Sequence, residues 1–200
     1  MHSPTAWQAK DLLAVTAVTF ALYVLSYFVV WALVTPLQQA LLPQITAFAS
    51  LLFLPHGVRV FATSLAGGRA VPGLVLGELA GNLLFWGPFP SAGVLLAVSL
   101  ASGSVTWCAF EGLRGLRIHA YYLKTTDEPP AYQHLLLAGI LASAANAFLV
   151  TAILEGEISG GSVTRILAAF MTGDITGLLA VMLAAPHVLR FLVARSARRD

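Results

Sequence analysis

Six polar side chains lie inside long apolar runs of this 200-residue chain: His56, Arg59, Glu78, Asn82, Asn146 and Asp174. A charged side chain at the centre of a bilayer costs at least ~2.5 kcal/mol on insertion scales, so each charged one is expected to face other helices and to have a partner. The stretch Gly67-Gly68-Arg69 reads as the turn of a helical hairpin. Counting away from it at ~1.5 Å per residue puts Arg59 and Glu78 at one level, on the order of 12 Å from the inner boundary. His56 falls level with Gly81 and Asn82. Asp174 lies roughly 16 Å in from the outer end of its helix, near the midplane, and Asn146 a little farther out. His56 and Arg59 share a face at i, i+3, and Glu78, Gly81 and Asn82 share one at i, i+3, i+4. The spacing predicts one intramembrane cluster of Arg59, Glu78 and Asp174, with His56, Asn82 and Asn146 beside it. Arg59 balances one carboxylate; the other requires a proton, a cationic His56, or a bound ion or ligand. The chemistry open to such a cluster is binding of a small ligand, ion or proton, or a structural ion pair beside one neutral acid.

Pro55-His56-Gly57 interrupts an apolar run. Proline removes a donor and frees the carbonyl four residues back, so the second helix is expected to be broken there. Broken helices in membranes line cavities or are covered by protein. The chain has no Walker loop, no GxSxG and no HExxH, so no catalytic residue is expected and the chain reads as a non-enzyme. His56 and His187 differ in depth by well over ~10 Å, too far for paired haem ligands. Cys108 is the single cysteine and has no companion for a disulfide or a zinc site. No cofactor and no metal are expected.

The elements that must place these residues follow from composition. Hydrophobic residues make up 58% and charged residues 10%, against roughly a quarter charged in soluble domains, so lipid is the implied solvent. A net charge of +2 is too small to suggest nucleic acid. The apolar runs predict an all-α integral membrane protein, a single domain over 1–200 with about six spans: 12–34, 44–66, 70–86, 91–116, 132–154 and 163–193. The first is roughly 23 residues against the ~20 needed to cross, and reads as a retained anchor rather than a signal peptide. With the N-terminus inside, nine of the eleven basic residues fall on inner segments, and the outer connections 35–43 and 87–90 hold none. This asymmetry predicts cytoplasmic N- and C-termini. Trp31 and Trp86 fall at predicted outer ends, and Tyr121, Tyr122 and Tyr132 at inner ends, as aromatic belts do. Arg165 and Glu111 are close enough to ends to snorkel, and Glu111 can meet Arg114 one turn on. Gly73, Gly77 and Gly81, and Gly173 and Gly177, form four-residue stripes suited to close helix packing.

Three segments carry a family resemblance: Leu54-Pro55-His56-Gly57, Arg69 to Asn82 through Pro72-Gly73, Gly77 and Glu78, and Gly173-Asp174-Ile175-Thr176-Gly177 followed by Ala185-Pro186. In that order they resemble the first class of bacterial membrane-associated sensor domains, the MASE family, over 53–186. They match its Pro-x-Gly turn, its W-P-G-x-x-x-G-x-x-x-A-N segment and its G-D-x-x-G ending. Leu54 stands where an aromatic is usual, and His56 and Arg59 are outside the family pattern. Members commonly have about eight spans and many carry a kinase, cyclase or phosphodiesterase output domain; this chain reads as six spans without one. The resemblance implies a sensing or scaffolding module of the bacterial inner membrane. It would bind a ligand, ion or proton at the cluster and act through a membrane or cytoplasmic protein partner, or as a homodimer. A proton- or cation-coupled transporter and an accessory subunit of a larger membrane complex are the alternatives.

Overall fold

The computed structural model describes residues 4–41, 50–86, 89–122, 131–154 and 163–196, with side chains at 9–41, 50–86, 89–122, 131–154, 167–185 and 187. The predicted start of the second span at 44, the loops over 124–130 and 155–161, and the side chains of Arg165, Pro186 and the basic residues of the tail lie outside what is described. Every described element is helical. The helices are α1 (Pro4–Val29), α2 (Thr35–Leu41), α3 (Leu54–Ala66), α4 (Val71–Phe85), α5 (Ala92–Gly115), α6 (Tyr132–Ile153) and α7 (Val163–Ser196).

The first span does not stop at Val34 as predicted. A π-helical turn, Val30–Val34, joins α1 to α2, and the helix runs on through Pro36 to Leu41. Pro36 cannot donate to the carbonyl four residues back, and a π-turn is the local adjustment that absorbs such a fault without ending the helix. The second helix is not broken at Pro55-His56-Gly57; it begins there, with Pro55 in its first turn. A proline at that position gives up a hydrogen bond no helix would have made. The segment before it, Ser50 to Phe53, is non-helical.

Six separate crossings are not what the described helices give. Five segments are long and apolar enough to span a membrane: Ala9–Leu41, Leu54–Phe85, Ala92–Gly115, Tyr132–Ile153 and Leu167–Ala185. The second of these joins α3 and α4, of 13 and 15 residues. Those are roughly 20 and 23 Å long, each short of a ~30 Å core. Yet Arg59 and Glu78, 19 residues apart, approach to 3.2 Å, where one straight helix would hold them ~28 Å apart. The chain therefore doubles back between α3 and α4. The reversal uses Gly67 at φ +60°, followed by a 3-10 turn over Gly67–Ala70.

α1 packs on α4, α4 on α5, α5 on α6, α6 on α7, and α7 on α3; α3 also touches α1, α5 and α6. α3 thus sits inside an arc of the other helices. Its buried residues are Pro55, His56, Gly57, Arg59, Val60, Thr63 and Ser64, four of the seven polar. The outward faces are the reverse: Leu33, Leu84, Phe148 and Leu183 are each about two-thirds exposed or more, while His56 and Arg59 are at 0%. Large apolar residues outside and ionisable ones inside suit a hydrocarbon solvent and no other. The fold is an all-α, multi-pass membrane protein.

Candidate ligand- or proton-binding centre in the membrane interior

α4 can lie close to α1 because Gly73, Gly77 and Gly81 leave room. A Cβ on Gly77 would stand 2.7 Å from the Tyr23 ring, and one on Gly81 2.5 Å from the Tyr27 ring. Gly73 meets Thr16 and Thr19 in the same way. Residue numbers rise together along both helices, so α1 and α4 run parallel, in a four-residue register of small against large.

That approach carries the two tyrosine hydroxyls to Glu78. Tyr23 and Tyr27 both donate to its carboxylate, at 2.5 and 3.0 Å. Arg59 reaches across from α3: its Nη2 lies 3.2 Å from Glu78 Oε2 and 2.6 Å from the Tyr23 oxygen, and its Nε donates to that same oxygen at 3.0 Å. The guanidinium also stands over the Tyr23 ring, 5.7 Å from its centroid. A charge pair in low dielectric is tolerated when its remaining hydrogen-bonding capacity is filled, and here two phenols fill most of it. Arg59 Nη1 alone is left without a partner.

The second charge pair lies one turn earlier on α3 and reaches α6 and α7 instead of α1 and α4. His56 Nδ1 lies 3.5 Å from Asp174 Oδ2 on α7, and His56 Nε2 lies 3.0 Å from the backbone oxygen of Gly139 on α6. Both side chains are buried, yet Nδ1 and Oδ2 have no hydrogen-bond partner. The spacing exceeds the ~2.7–3.2 Å of a formed N–H···O bond.

Asp174 is held in place by a backbone clasp. The non-helical segment before α3 lies across α7 at Gly173 and Gly177, where an added Cβ would stand 1.9 Å from the Ser50 oxygen and 2.0 Å from the Phe53 oxygen. The Phe53 amide donates to the Gly173 carbonyl at 2.8 Å, and the Thr176 hydroxyl donates to the Leu51 carbonyl. Gln38 of α2 accepts from the Leu51 amide at 2.8 Å. Irregular backbone at membrane depth survives only when its polar groups are met by protein, as these are.

The predicted residues are thus divided. Arg59 meets Glu78 and His56 meets Asp174, while the Asn82 Nδ2 and Asn146 Oδ1 atoms are buried with no hydrogen-bond partner. Tyr23, Tyr27 and the Gly139 carbonyl were missed from sequence. The signal for the tyrosines was their i, i+4 spacing, which matches Gly77 and Gly81, and the need of a buried phenol for a partner. Near the end of α5, Glu111 and Arg114 pair at 2.9 Å as predicted. Tyr121 donates to Glu111 at 2.7 Å, and its hydroxyl is pushed above the ordinary tyrosine value by burial first and then by that bond. Among the described residues no group of three or more His, Cys, Asp or Glu is placed to hold a metal.

No curated protein and no solved structure matches the chain. A family model does, over residues 19–200, which takes in the tyrosines of α1, the whole of α3 and the Asp174 helix. The resemblance seen over 53–186 thus extends to nearly the full length, and the chain belongs to MASE1, a family of membrane-associated sensor domains.

Proposed function

We propose that this MASE1 domain works as the input module of a signalling system in the bacterial inner membrane, with the buried centre on α3 as its sensing site. The centre would bind a small ligand, ion or proton, and α7 with the inner connections would pass the result to a protein partner. The observation that carries this reading is the contact of His56 with Asp174. It joins the central helix to α7 at the point where the segment 50–53 also clasps α7, so a change in the pair has a direct mechanical route into a 34-residue helix. A structural ion pair has no need of that route, and the Arg59–Glu78 pair lacks it. On the charge asymmetry of the sequence, both termini are taken as cytoplasmic, which puts the far end of α7 on the partner's side.

The test is association in native membranes. Extraction in mild detergent is expected to bring out a stoichiometric partner, and Asp174→Asn is expected to change how much of it is retained while leaving the chain folded. Recovery of the chain alone, or retention indifferent to Asp174→Asn and Glu78→Gln alike, would count decisively against the sensing role. Cysteine substitutions at the two ends, probed from each side of the membrane, check the orientation.

A further inference from the structure

The two nitrogens of His56 have different neighbours, and the difference fixes where hydrogen sits. Nε2 lies against the Gly139 carbonyl oxygen at 3.0 Å. A carbonyl oxygen can only accept, so Nε2 carries hydrogen. In a neutral ring Nδ1 is then a bare lone pair. It faces Asp174 Oδ2 at 3.5 Å, a second lone-pair carrier when the acid is ionised. Neither atom has a hydrogen-bond partner. Two acceptors face to face in a medium of low dielectric repel, and the gap is too narrow for a water, which needs about 5 Å to bridge two atoms. A hydrogen on one of the two atoms makes the same contact attractive.

Charge leads to the same place. The buried ionisable groups among the described residues are Arg59, Glu78, His56 and Asp174, with the phenols of Tyr23 and Tyr27. Arg59 comes from α3, Glu78 from α4 and the phenols from α1, and these form a closed set of zero net charge. α6 gives His56 the Gly139 carbonyl and buries no ionisable group, though it buries the Ser143 hydroxyl, and α5 buries hydroxyls such as Ser102 and Thr106. His56 with Asp174 is neutral if the pair holds one hydrogen beyond the one on Nε2. Without it the pair is a lone carboxylate in an apolar interior, which is not tolerated without a partner.

We propose that His56 and Asp174 form a binding site for a single proton, shared between Nδ1 and Oδ2, and that this proton is the input of the sensing centre proposed above. Binding takes the proton from water and brings the pair from −1 to zero; release returns it. Release sets the two lone pairs against each other and pushes α7 from α3. The strain falls on the next residue, Gly173, whose carbonyl accepts from Phe53 at 2.8 Å. The proposal rests on the sensing reading for its meaning, but not for its chemistry.

The full chain, labelled with nitrogen-15 in histidine and reconstituted in nanodiscs of phosphatidylethanolamine and phosphatidylglycerol, tests it without any partner. His56→Gln identifies the His56 signals. Through a rise in pH, the Nδ1 signal is expected to move from the hydrogen-bonded to the bare range in one step, while Nε2 stays protonated. Over that step, protection of the Phe53 amide, with the intrinsic base catalysis of exchange divided out at each pH, is expected to fall by about tenfold, the scale of one lost hydrogen bond. Asp174→Asn offers Nδ1 an amide N–H in place of the proton, so it is expected to abolish both changes. Should that variant not fold, His56→Gln is expected to leave Phe53 protection, so corrected, independent of pH. An Nδ1 signal that ignores pH, a step that survives Asp174→Asn, or a Phe53 protection that does not follow the step overturns the proposal. A step seen here with a partner that ignores it in membranes would sink the sensing role and leave the proton site standing.

Discussion

On the α1 and α4 side of the central helix, a guanidinium and a carboxylate meet at 3.2 Å with two phenols closing around them. On the α6 and α7 side, an imidazole and a carboxylate stop 3.5 Å apart with two atoms unsatisfied. The helix, the burial and the solvent are the same on both flanks. What differs is which neutral donors reach the pair: α1 brings tyrosine hydroxyls, which the glycine stripe of α4 admits, whereas the α6 group bonded to His56 is a backbone carbonyl. A filled pair is locked in one state, because any change strands a charge. A switch needs an element with two arrangements that an input can bias, and a pair with open hydrogen-bonding capacity is the proposed place for one. The comparison teaches that the hydrogen bonds supplied around a buried charge decide how firmly it is held, and the sensing step is proposed at the pair that is held less.

The sharpest way to break the comparison is Arg59→Leu. It leaves Glu78 buried and uncompensated, at about 3–5 kcal/mol, and is expected to abolish the folded state or lower the melting temperature in nanodiscs more than any other single change here. Adding Glu78→Gln is expected to restore much of the loss, since the phenols can still donate to the amide oxygen. Next comes Tyr27→Phe, which takes one donor from the carboxylate and is expected to cost about 1.5–3 kcal/mol in the same melt. On the α7 side, Gly173→Ala and Gly177→Ala press a methyl into the Ser50 and Phe53 carbonyls and are expected to cost about 1–3 kcal/mol. Gly112→Ala, where nothing lies within 4 Å, is expected to stay within about 0.5 kcal/mol. Asp174→Asn should cost less than about 1 kcal/mol, because Oδ2 has no hydrogen-bond partner at the 3.5 Å spacing and an amide can donate to Nδ1 in place of the shared proton. If it destabilises as much as Arg59→Leu, the two flanks are alike and the contrast is gone. Smallest is Arg114→Ala at the exposed Glu111 pair, under about 1 kcal/mol and weaker still in salt.

Much of this was legible. His56, Arg59, Glu78 and Asp174 stand out in an apolar chain because lipid gives them nowhere else to go, and a rise of 1.5 Å per residue places them at one depth. Depth says nothing of direction round the helix axis, which is why the sequence did not say that Arg59 would meet Glu78 and His56 would meet Asp174. Pro55-His56-Gly57 was read as a break because proline signals a discontinuity without saying on which side the helix lies. Pro36 was read as a stop for the same reason, and a π-turn let the helix pass. The tyrosines of α1 were passed over because a phenol in an apolar run looks like bulk until a partner for its hydroxyl is sought.

The sequence alone determined the solvent, the helical class, the presence of ionisable groups in the interior and the family resemblance. These depend on composition and on local rules, since a chain with 10% charged residues cannot clothe a wet surface and a backbone in lipid must satisfy itself. Tertiary structure decided which base met which acid, and which pair was filled. Those outcomes turn on contacts between residues 19 to 118 positions apart, from Arg59–Glu78 to His56–Asp174. They are set by how closely glycines allow helices to approach, a property of the packed bundle that no single helix carries.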